Sequence, residues 1–147
     1  SAADMADVVK SKAAEQDIII MTAAVADFCP SHPADEKIKK NDSSYESVIE
    51  LERTEDILSY LGAHKAKGQL ICGFSMETQN MLENSKAKLA KKNADMIVAN
   101  NLKVAGAGFG TDTNIITLIT KDAVEELPLM DKDNAAHIIL DKILSLF

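Results

Sequence analysis

Aromatic residues and cysteines are scarce in this 147-residue sequence. It has no Trp, four Phe and two Tyr, and therefore lacks the stacking surface by which many proteins bind single-stranded nucleic acid. Its two cysteines, Cys29 and Cys72, are too few for a disulfide framework, and no CxxC motif is present. No apolar run approaches the length of a membrane-spanning helix. Without a recognisable signal peptide, the expected location is the cytoplasm.

The charge is acidic overall but unevenly distributed. Asp and Glu number 23 against 16 Lys and Arg, for a net charge of -7, which disfavours nucleic acid or an anionic membrane as a partner. Basic residues nevertheless cluster at 37–40 and 86–92. The length and the 46% hydrophobic content predict one globular domain with a substantial core. Positive patches on an acidic body favour a small anionic ligand.

The segment from 17 to 40 combines features of a ligand site. The β-branched run at 18–21 predicts a buried strand of a parallel sheet. Small residues that allow close approach to the backbone follow it, namely Thr22, Ala23, Ala24 and Ala26, and Asp27 then supplies an acceptor. Beyond a loop containing Pro30 and Pro33, a lysine triplet (Lys37, Lys39 and Lys40) predicts a clamp for phosphate. An ordinary crossover loop followed by a solvated charge run is the alternative.

Hydrophobic periodicity predicts an α/β fold. Strands are expected at 18–22, 69–74 and 95–98, with a further short strand within 47–53 and an antiparallel pair at 115–120 and 124–127. Helices are expected from Ser1 to before Asp17, after an N-cap at Thr54, at 81–92, and after Asp131 or Asp133. Strands that alternate with helices indicate βαβ units and a parallel sheet. The strand ends TAAVAD, GFSMET and ANN should therefore form one crevice.

Other chemical signals in the chain have simpler interpretations. The GxGxG at 106–110 precedes a strand, which favours a loop over a dinucleotide fingerprint. The three histidines lack metal-ligand spacing. Cys29 has no nearby His to activate it as a nucleophile, and Cys72 is expected in the core. Lys86, Lys88, Lys91 and Lys92 form, by default, a solvated helix face.

Seven motifs occur along the chain in one order and spacing. They are AAVADF (23–28), EKIKK (36–40), EDIL (55–58), GFSMET (73–78), KAKLAKKNAD (86–95), VANN (98–101) and GFGTDTN (108–114). Together they resemble the phosphopantothenoylcysteine synthetase family, over nearly the whole chain. It implies a Rossmann-like parallel sheet flanked by helices, with an antiparallel edge near the C-terminus.

The resemblance implies a two-step ligation in coenzyme A biosynthesis. The carboxylate of 4'-phosphopantothenate attacks the α-phosphate of a nucleoside triphosphate, usually CTP, and forms an acyl-cytidylate with release of pyrophosphate. The amine of cysteine then displaces CMP to form an amide. Such chemistry requires charge neutralisation on a triphosphate, which lysines, backbone amides and Mg²⁺ provide. The metal is expected to be held largely by the triphosphate and water.

The resemblance also implies residue roles. Ala23 and Ala24 would lie near the reacting carbonyl and phosphate, Asp27 would contact the nucleotide, and Lys37 would stabilise the transition state at the α-phosphate. The remaining nucleotide contacts would be Glu55, Asp56, Ile57 and Leu58 at a helix N-terminus, Phe74 on the base or ribose, and Lys88 and Lys92 on the triphosphate. The segment around the lysine triplet and the strand that follows it would also contribute to a homodimer.

One departure from the family pattern concerns the start of the chain. The family's glycine-rich loop and an Asn that holds the intermediate would lie upstream of Ser1, so 1–147 is expected to be the C-terminal two thirds of a synthetase domain, inactive or weak alone. A decarboxylase fused upstream is possible. The rival hypotheses are an NAD(P)-binding oxidoreductase, disfavoured because no GxGxxG joins a strand to a helix, and a non-catalytic dimerisation or binding module.

Overall fold

The computed structural model describes residues 1–37, 48–77, 80–101 and 110–147. In chain order these residues form α1 (Ala2–Ala13), β1 (Ile18–Met21), β2 (Phe28–Pro30), β3 (Leu51–Arg53), α2 (Ile57–Ala63), β4 (Leu70–Glu77), α3 (Met81–Lys91), β5 (Met96–Asn101), β6 (Thr113–Asn114), β7 (Ile116–Thr120), β8 (Val124–Glu126), β9 (Met130–Asp131) and α4 (Lys132–Leu144). Among these helices, none has both the length and the apolar character needed to cross a lipid bilayer.

Five strands form the central sheet in the order β1, β4, β5, β7, β8. The first three are parallel, and β7 and β8 run antiparallel to their neighbours. The predicted α/β fold with an antiparallel edge near the C-terminus is therefore confirmed. Because β1, β4 and β5 are parallel and adjacent, their carboxyl ends lie along the same edge of the sheet, as predicted from the strand-end motifs.

Helices cover both faces of the sheet because successive strand residues point to opposite sides. In β5, Met96 and Val98 pack with the α4 residues Ala135, Ile139 and Ile143. The alternate residues Ile97 and Ala99 pack with Leu89 of α3. On that second face, α1 and α2 cover β1 and β4 through Ala6, Leu61, Ile19 and Ile71. The result is a three-layer fold with an apolar core on each face.

Cys72 is a core residue, as its position in a buried strand predicts. Its side chain is buried among the residues that pack under α4. Burial, reinforced by the nearby negative charge of Asp95, raises the pKa of the Cys72 thiol to about 12. The thiol is therefore protonated at neutral pH and does not act as a nucleophile.

Two local predictions are wrong, and tertiary contacts explain one of them. Thr54 is not the N-cap of α2; the cap is Asp56, whose carboxylate accepts a hydrogen bond from the Ser59 N–H at 2.9 Å. Thr54 instead donates its hydroxyl to the carbonyl of Ala26, so it is committed to another segment. The residues after β1, expected to be loop, include the strand β2, which pairs antiparallel with β3 and so forms a two-stranded ribbon.

Candidate functional site

A cleft of about 230 Å³ opens at the carboxyl ends of β1 and β4. Its walls come from the segment after β1, from the end of β3 and the start of α2, and from β4 and α3. The lining residues are Met21, Ala23, Val25, Ala26, Asp27, Arg53, Thr54, Glu55, Asp56, Ile57, Leu58, Phe74, Lys88 and Lys92.

Most residues singled out from the sequence line this one cleft. Nine of them do so, namely Ala23, Asp27, Glu55, Asp56, Ile57, Leu58, Phe74, Lys88 and Lys92. Two do not: Ala24 and Lys37 are exposed and lie outside the lining. The structure therefore brings together residues that are separated by almost seventy positions in the chain, from Ala23 to Lys92.

The segment after β1 is tied to Thr54, which follows β3, by two hydrogen bonds. The Thr54 N–H donates to the carbonyl of Asp27 at 3.0 Å, and the Thr54 hydroxyl donates to the carbonyl of Ala26. These two bonds join the end of the ribbon to the small-residue segment. They hold Ala23 and Asp27 on one wall of the cleft, while leaving both side chains exposed.

Helix α3 presents Lys88 to the cleft because the helix is anchored to β4. The buried hydroxyls of Ser75 and Ser85 lie 3.2 Å apart and join the helix to the strand. One helical turn beyond Ser85, the Lys88 ammonium donates to the carbonyl of Phe74 at 3.1 Å. Lys88 is thereby half-buried and lines the cleft.

Lys92 bridges α3 to the start of α2. Its ammonium donates to the carboxylate of Asp56 and, at 3.0 Å, to the hydroxyl of Ser59. Burial raises the pKa of Asp56, but the hydrogen bonds from Lys92 and from the Ser59 N–H outweigh it and hold that pKa below its usual value. The stabilisation from this pair is present above the ordinary Asp pKa, about 3.9, and is lost as pH falls through the lowered value.

The carboxylates of the cleft do not form a metal cluster. Glu55 pairs with Lys10 of α1 at 2.7 Å, and Asp56 pairs with Lys92. Within the described ranges, no three His, Cys, Asp or Glu side chains converge to hold a metal ion. Asp27 is the third carboxylate of the cleft, and it forms no ion pair with any residue that the structure describes.

Ala26, one of the small residues expected to allow close approach of a ligand, also lines the cleft. The sequence analysis does not assign a ligand role to four further lining residues: Met21, Val25, Arg53 and Thr54. Arg53 and Thr54 reach the cleft because β3 pairs with β2, a strand that the sequence analysis does not predict. The sequence signal for Arg53 is its position directly before Thr54, Glu55 and Asp56, the predicted start of a helix.

A second cavity, of about 550 Å³, lies between the end of α3 and the turn from β7 to β8. Its lining includes Lys86, Leu89, Lys121 and Asp122. None of the predicted site residues contributes to it. Lys86, part of the same basic run as Lys88 and Lys92, thus faces a different part of the surface.

Some sequence predictions fall outside the described residues. These are the roles of Lys39 and Lys40 in the phosphate clamp, Thr78 of the second strand end, and Gly106 and Gly108 of the glycine loop.

Comparison with known sequences identifies relatives over the whole chain. A family model described as the DNA/pantothenate metabolism flavoprotein C-terminal domain matches residues 1–146. The chain is 49% identical over 147 residues to the coenzyme A biosynthesis bifunctional protein CoaBC of Bacillus subtilis (strain 168). It is 33% identical over 146 residues to the protein of the same name in Escherichia coli (strain K12). Each match covers 99% of this chain and 36% of the relative.

Comparison with solved structures identifies similar proteins of the same kind. The fold is similar to the crystal structure of the C-terminal domain of a CoaBC protein, with a TM-score of 0.78 and 44% identity. That match covers 99% of this chain and 64% of the other. A DNA/pantothenate metabolism flavoprotein from Streptococcus pneumoniae has a TM-score of 0.76 at 20% identity, with coverage of 98% and 69%, and supports the fold alone.

Proposed function

Because the chain belongs to the DNA/pantothenate metabolism flavoprotein C-terminal domain family, we propose that it forms part of a phosphopantothenate-cysteine ligase of coenzyme A biosynthesis. The observation that carries the proposal is the cleft, which gathers nine residues that the synthetase resemblance implies for nucleotide binding. The names of the relatives in Bacillus subtilis and Escherichia coli support the pathway. Since the chain spans about a third of those relatives, the activity is proposed for the full-length protein.

The proposed reaction has two balanced steps. A carboxylate oxygen of 4'-phosphopantothenate attacks the α-phosphorus of CTP, a new P–O bond forms, and the P–O bond to pyrophosphate breaks. The cysteine amine then attacks the acyl carbon, a C–N bond forms, the C–O bond to CMP breaks, and the amine loses a proton. Both steps develop charge on phosphate oxygens, and fixed positive groups stabilise that charge.

The residues of the cleft have the chemistry that these steps need. Lys88 and Lys92 offer two ammonium groups for the triphosphate, and the Phe74 side chain is an apolar surface for the base or ribose. Glu55 to Leu58 also line the cleft, around the start of α2. Ala23 and Ala24 are small enough for the reacting groups to approach the backbone. Lys92 would exchange Asp56 for phosphate when the nucleotide binds.

Lys37 is proposed to stabilise the pentavalent transition state at the α-phosphorus. Its side chain is exposed and lies outside the cleft lining. The proposal therefore requires Lys37 to be brought to the cleft when the substrates bind.

The donor set fits a magnesium ion that is held mainly by substrate. Mg²⁺ commonly binds through one or two carboxylates together with substrate phosphates and water. Asp27 has no ion pair in the described part of the chain and is the protein group available to it, whereas Glu55 and Asp56 are engaged by lysines. When bound, Mg²⁺ would neutralise part of the triphosphate charge.

The proposal is tested first by nucleotide binding. We expect calorimetric titration with CTP and Mg²⁺ to show binding that Lys88→Ala weakens about 10-fold or more, because a charge-assisted hydrogen bond contributes about 1.5–3 kcal/mol. Lys91→Ala is the matched control, since Lys91 lies on the same helix but is exposed and does not line the cleft. Full-length protein that binds neither CTP nor ATP, or equal affinity in the two variants, would contradict the proposal. A parallel ATP titration determines the base preference.

A homodimer is also proposed, with the ribbon of β2 and β3 at its interface. Large apolar side chains are exposed on the ribbon and just before it, namely Phe28 (49%), Val48 (83%), Ile49 (71%) and Leu51 (58%). Clustered apolar exposure of this kind is typical of interaction surfaces. We expect wild-type protein to sediment as a dimer and the Val48→Glu/Ile49→Glu variant as a monomer. Val8→Glu, on the exposed face of α1 (60% exposed), should leave the dimer intact; a wild-type monomer would refute the proposal.

The word bifunctional in the relatives' names supports one further proposal, that the full-length protein also carries the decarboxylase expected upstream.

A further inference from the structure

The three cations of the cleft differ in how far protein acceptors engage them. Lys88 donates to the Phe74 carbonyl, and Lys92 donates to Asp56 and Ser59. Arg53 also lines the cleft. No carboxylate of the described residues lies within ion-pair distance of its guanidinium. With respect to the part of the chain that the structure describes, Arg53 is therefore the cleft cation whose donors are free for a ligand.

Arg53 is also the one arginine of the sequence, beside fifteen lysines. The two residue types are not equivalent, because a guanidinium presents a planar fork of donors that matches phosphate oxygens in pairs, whereas an ammonium acts as a point charge. A chain that uses lysine at every other basic position thus places its single bidentate donor in the cleft.

The ribbon holds this side chain in place. Arg53 lies directly opposite Phe28 in the antiparallel register, and its guanidinium carbon is 5.3 Å from the centre of the Phe28 ring. The neighbouring pair, Cys29 and Glu52, faces the other side of the ribbon, since side chains alternate along a strand. The nearest carboxylate in sequence is thereby directed away from the guanidinium. This cation–π contact favours a position of the guanidinium over the Phe28 ring before any ligand arrives.

The surrounding charges leave Arg53 available to an anion. The carboxylates of Glu55 and Asp56, which follow it in sequence, are engaged by Lys10 and Lys92 respectively. The charged lining groups not neutralised in this way are Arg53, Lys88 and Asp27. These two positive groups and one negative group leave a net positive charge in the cleft, which favours an anionic ligand.

We propose that Arg53 binds a phosphate group of the substrate in this cleft, through paired hydrogen bonds from its guanidinium. This inference rests on the proposed function and adds a specificity residue to it. The phosphate has two possible sources, the triphosphate of the nucleotide and the phosphate monoester of 4'-phosphopantothenate. The chemistry of recognition is the same for both, and separate titrations distinguish them.

The test is calorimetric titration of wild type, Arg53→Lys and Arg53→Met with inorganic tripolyphosphate, CTP and 4'-phosphopantothenate. Arg53→Met should weaken binding of the recognised compound about 10-fold or more, because it loses a charged bidentate contact. Arg53→Lys should fall between Met and wild type, since it keeps the charge and loses the fork. Lys67→Met, an exposed site on the turn before β4, is the control. Thermal melts and sedimentation verify that fold and oligomeric state are unchanged.

The pattern of losses identifies the phosphate. Weaker binding of CTP and tripolyphosphate alone assigns Arg53 to the nucleotide, and weaker binding of 4'-phosphopantothenate alone assigns it to the monoester. Unchanged affinity of Arg53→Met for all three compounds, or no binding of any of them by wild type, overturns the proposal. Arg53-dependent binding of tripolyphosphate by full-length protein that forms no amide from cysteine would instead refute the ligase function and leave Arg53 as an anion-binding residue.

Discussion

Replacing Lys37 with glutamine is expected to slow formation of the acyl-nucleotide about 100- to 1000-fold, the range observed when one donor to a developing oxyanion is removed. Glutamine retains a polar side chain but cannot place a positive charge beside the α-phosphate. Because that charge is needed most in the pentavalent transition state, affinity for CTP should change much less than the rate. The measurement is rapid-quench release of pyrophosphate with CTP and 4'-phosphopantothenate in the absence of cysteine.

Lys67→Gln provides the matched control for Lys37. Lys67 is likewise exposed, but it precedes β4, at the amino end of the parallel strands and therefore at the sheet edge opposite the cleft. It should react at the wild-type rate. A Lys37→Gln rate within threefold of wild type would favour the rival hypothesis that this lysine is a solvated surface charge. A loss confined to CTP affinity would assign Lys37 to ground-state binding.

The Gly62→Ala variant is expected to be destabilised by about 3 kcal/mol, at the upper end of the usual cost of overpacking. Gly62 is buried in α2 where that helix crosses the end of α3. A Cβ atom at this position would lie 1.7 Å from the carbonyl oxygen of Lys92. That oxygen belongs to the backbone, so it cannot move aside as a side-chain tip would. Denaturant unfolding monitored by circular dichroism measures the change in the free energy of unfolding.

Gly73→Ala separates this clash from a general intolerance of added volume. A Cβ at Gly73 would lie 2.6 Å from a terminal methyl of Leu58 and 3.1 Å from one of Ile97. Both are the ends of rotatable side chains, so the cost should be clearly smaller than that of Gly62→Ala. If the two variants lose equal stability, the close approach of α2 to α3 is not the cause.

The Gly62 contact also bears on function. It brings the start of α2 and the end of α3 close enough for Lys92 to reach Asp56 and Ser59. A second bond at this crossing joins the Asn93 side-chain amide to the carbonyl of Gly62 at 2.8 Å. Gly62→Ala protein that still folds should therefore bind CTP more weakly than Gly73→Ala protein.

The lysine-rich helix illustrates the limit of periodicity as a guide. Four lysines between 86 and 92 have the composition of a solvated face, and for Lys86 and Lys91 that interpretation agrees with their exposure. Lys88 and Lys92 differ because they are four residues apart and lie on the helix stripe that meets β4 and α2. Only the docking of α3, through Ser75 and Ser85, separates the two pairs.

The sequence by itself determined the order and type of the main elements. Apolar runs such as 18–21 and 96–98 specify buried strands, and Ser1 and Asp131 mark helix starts through their side-chain caps. These signals are local, since each depends on neighbours within a turn or a strand. The parallel order of β1, β4 and β5 follows from the helices between them.

The tertiary structure alone decided which residues share the cleft and what each one contacts. The β2–β3 ribbon pairs residues that are more than twenty positions apart and places Arg53 over Phe28. Thr54, at the end of this ribbon, contacts Ala26 and does not cap a helix. The Lys92–Asp56 bridge likewise spans thirty-six positions. Such pairings are formed by the packing of whole elements against one another, and short-range periodicity does not encode them.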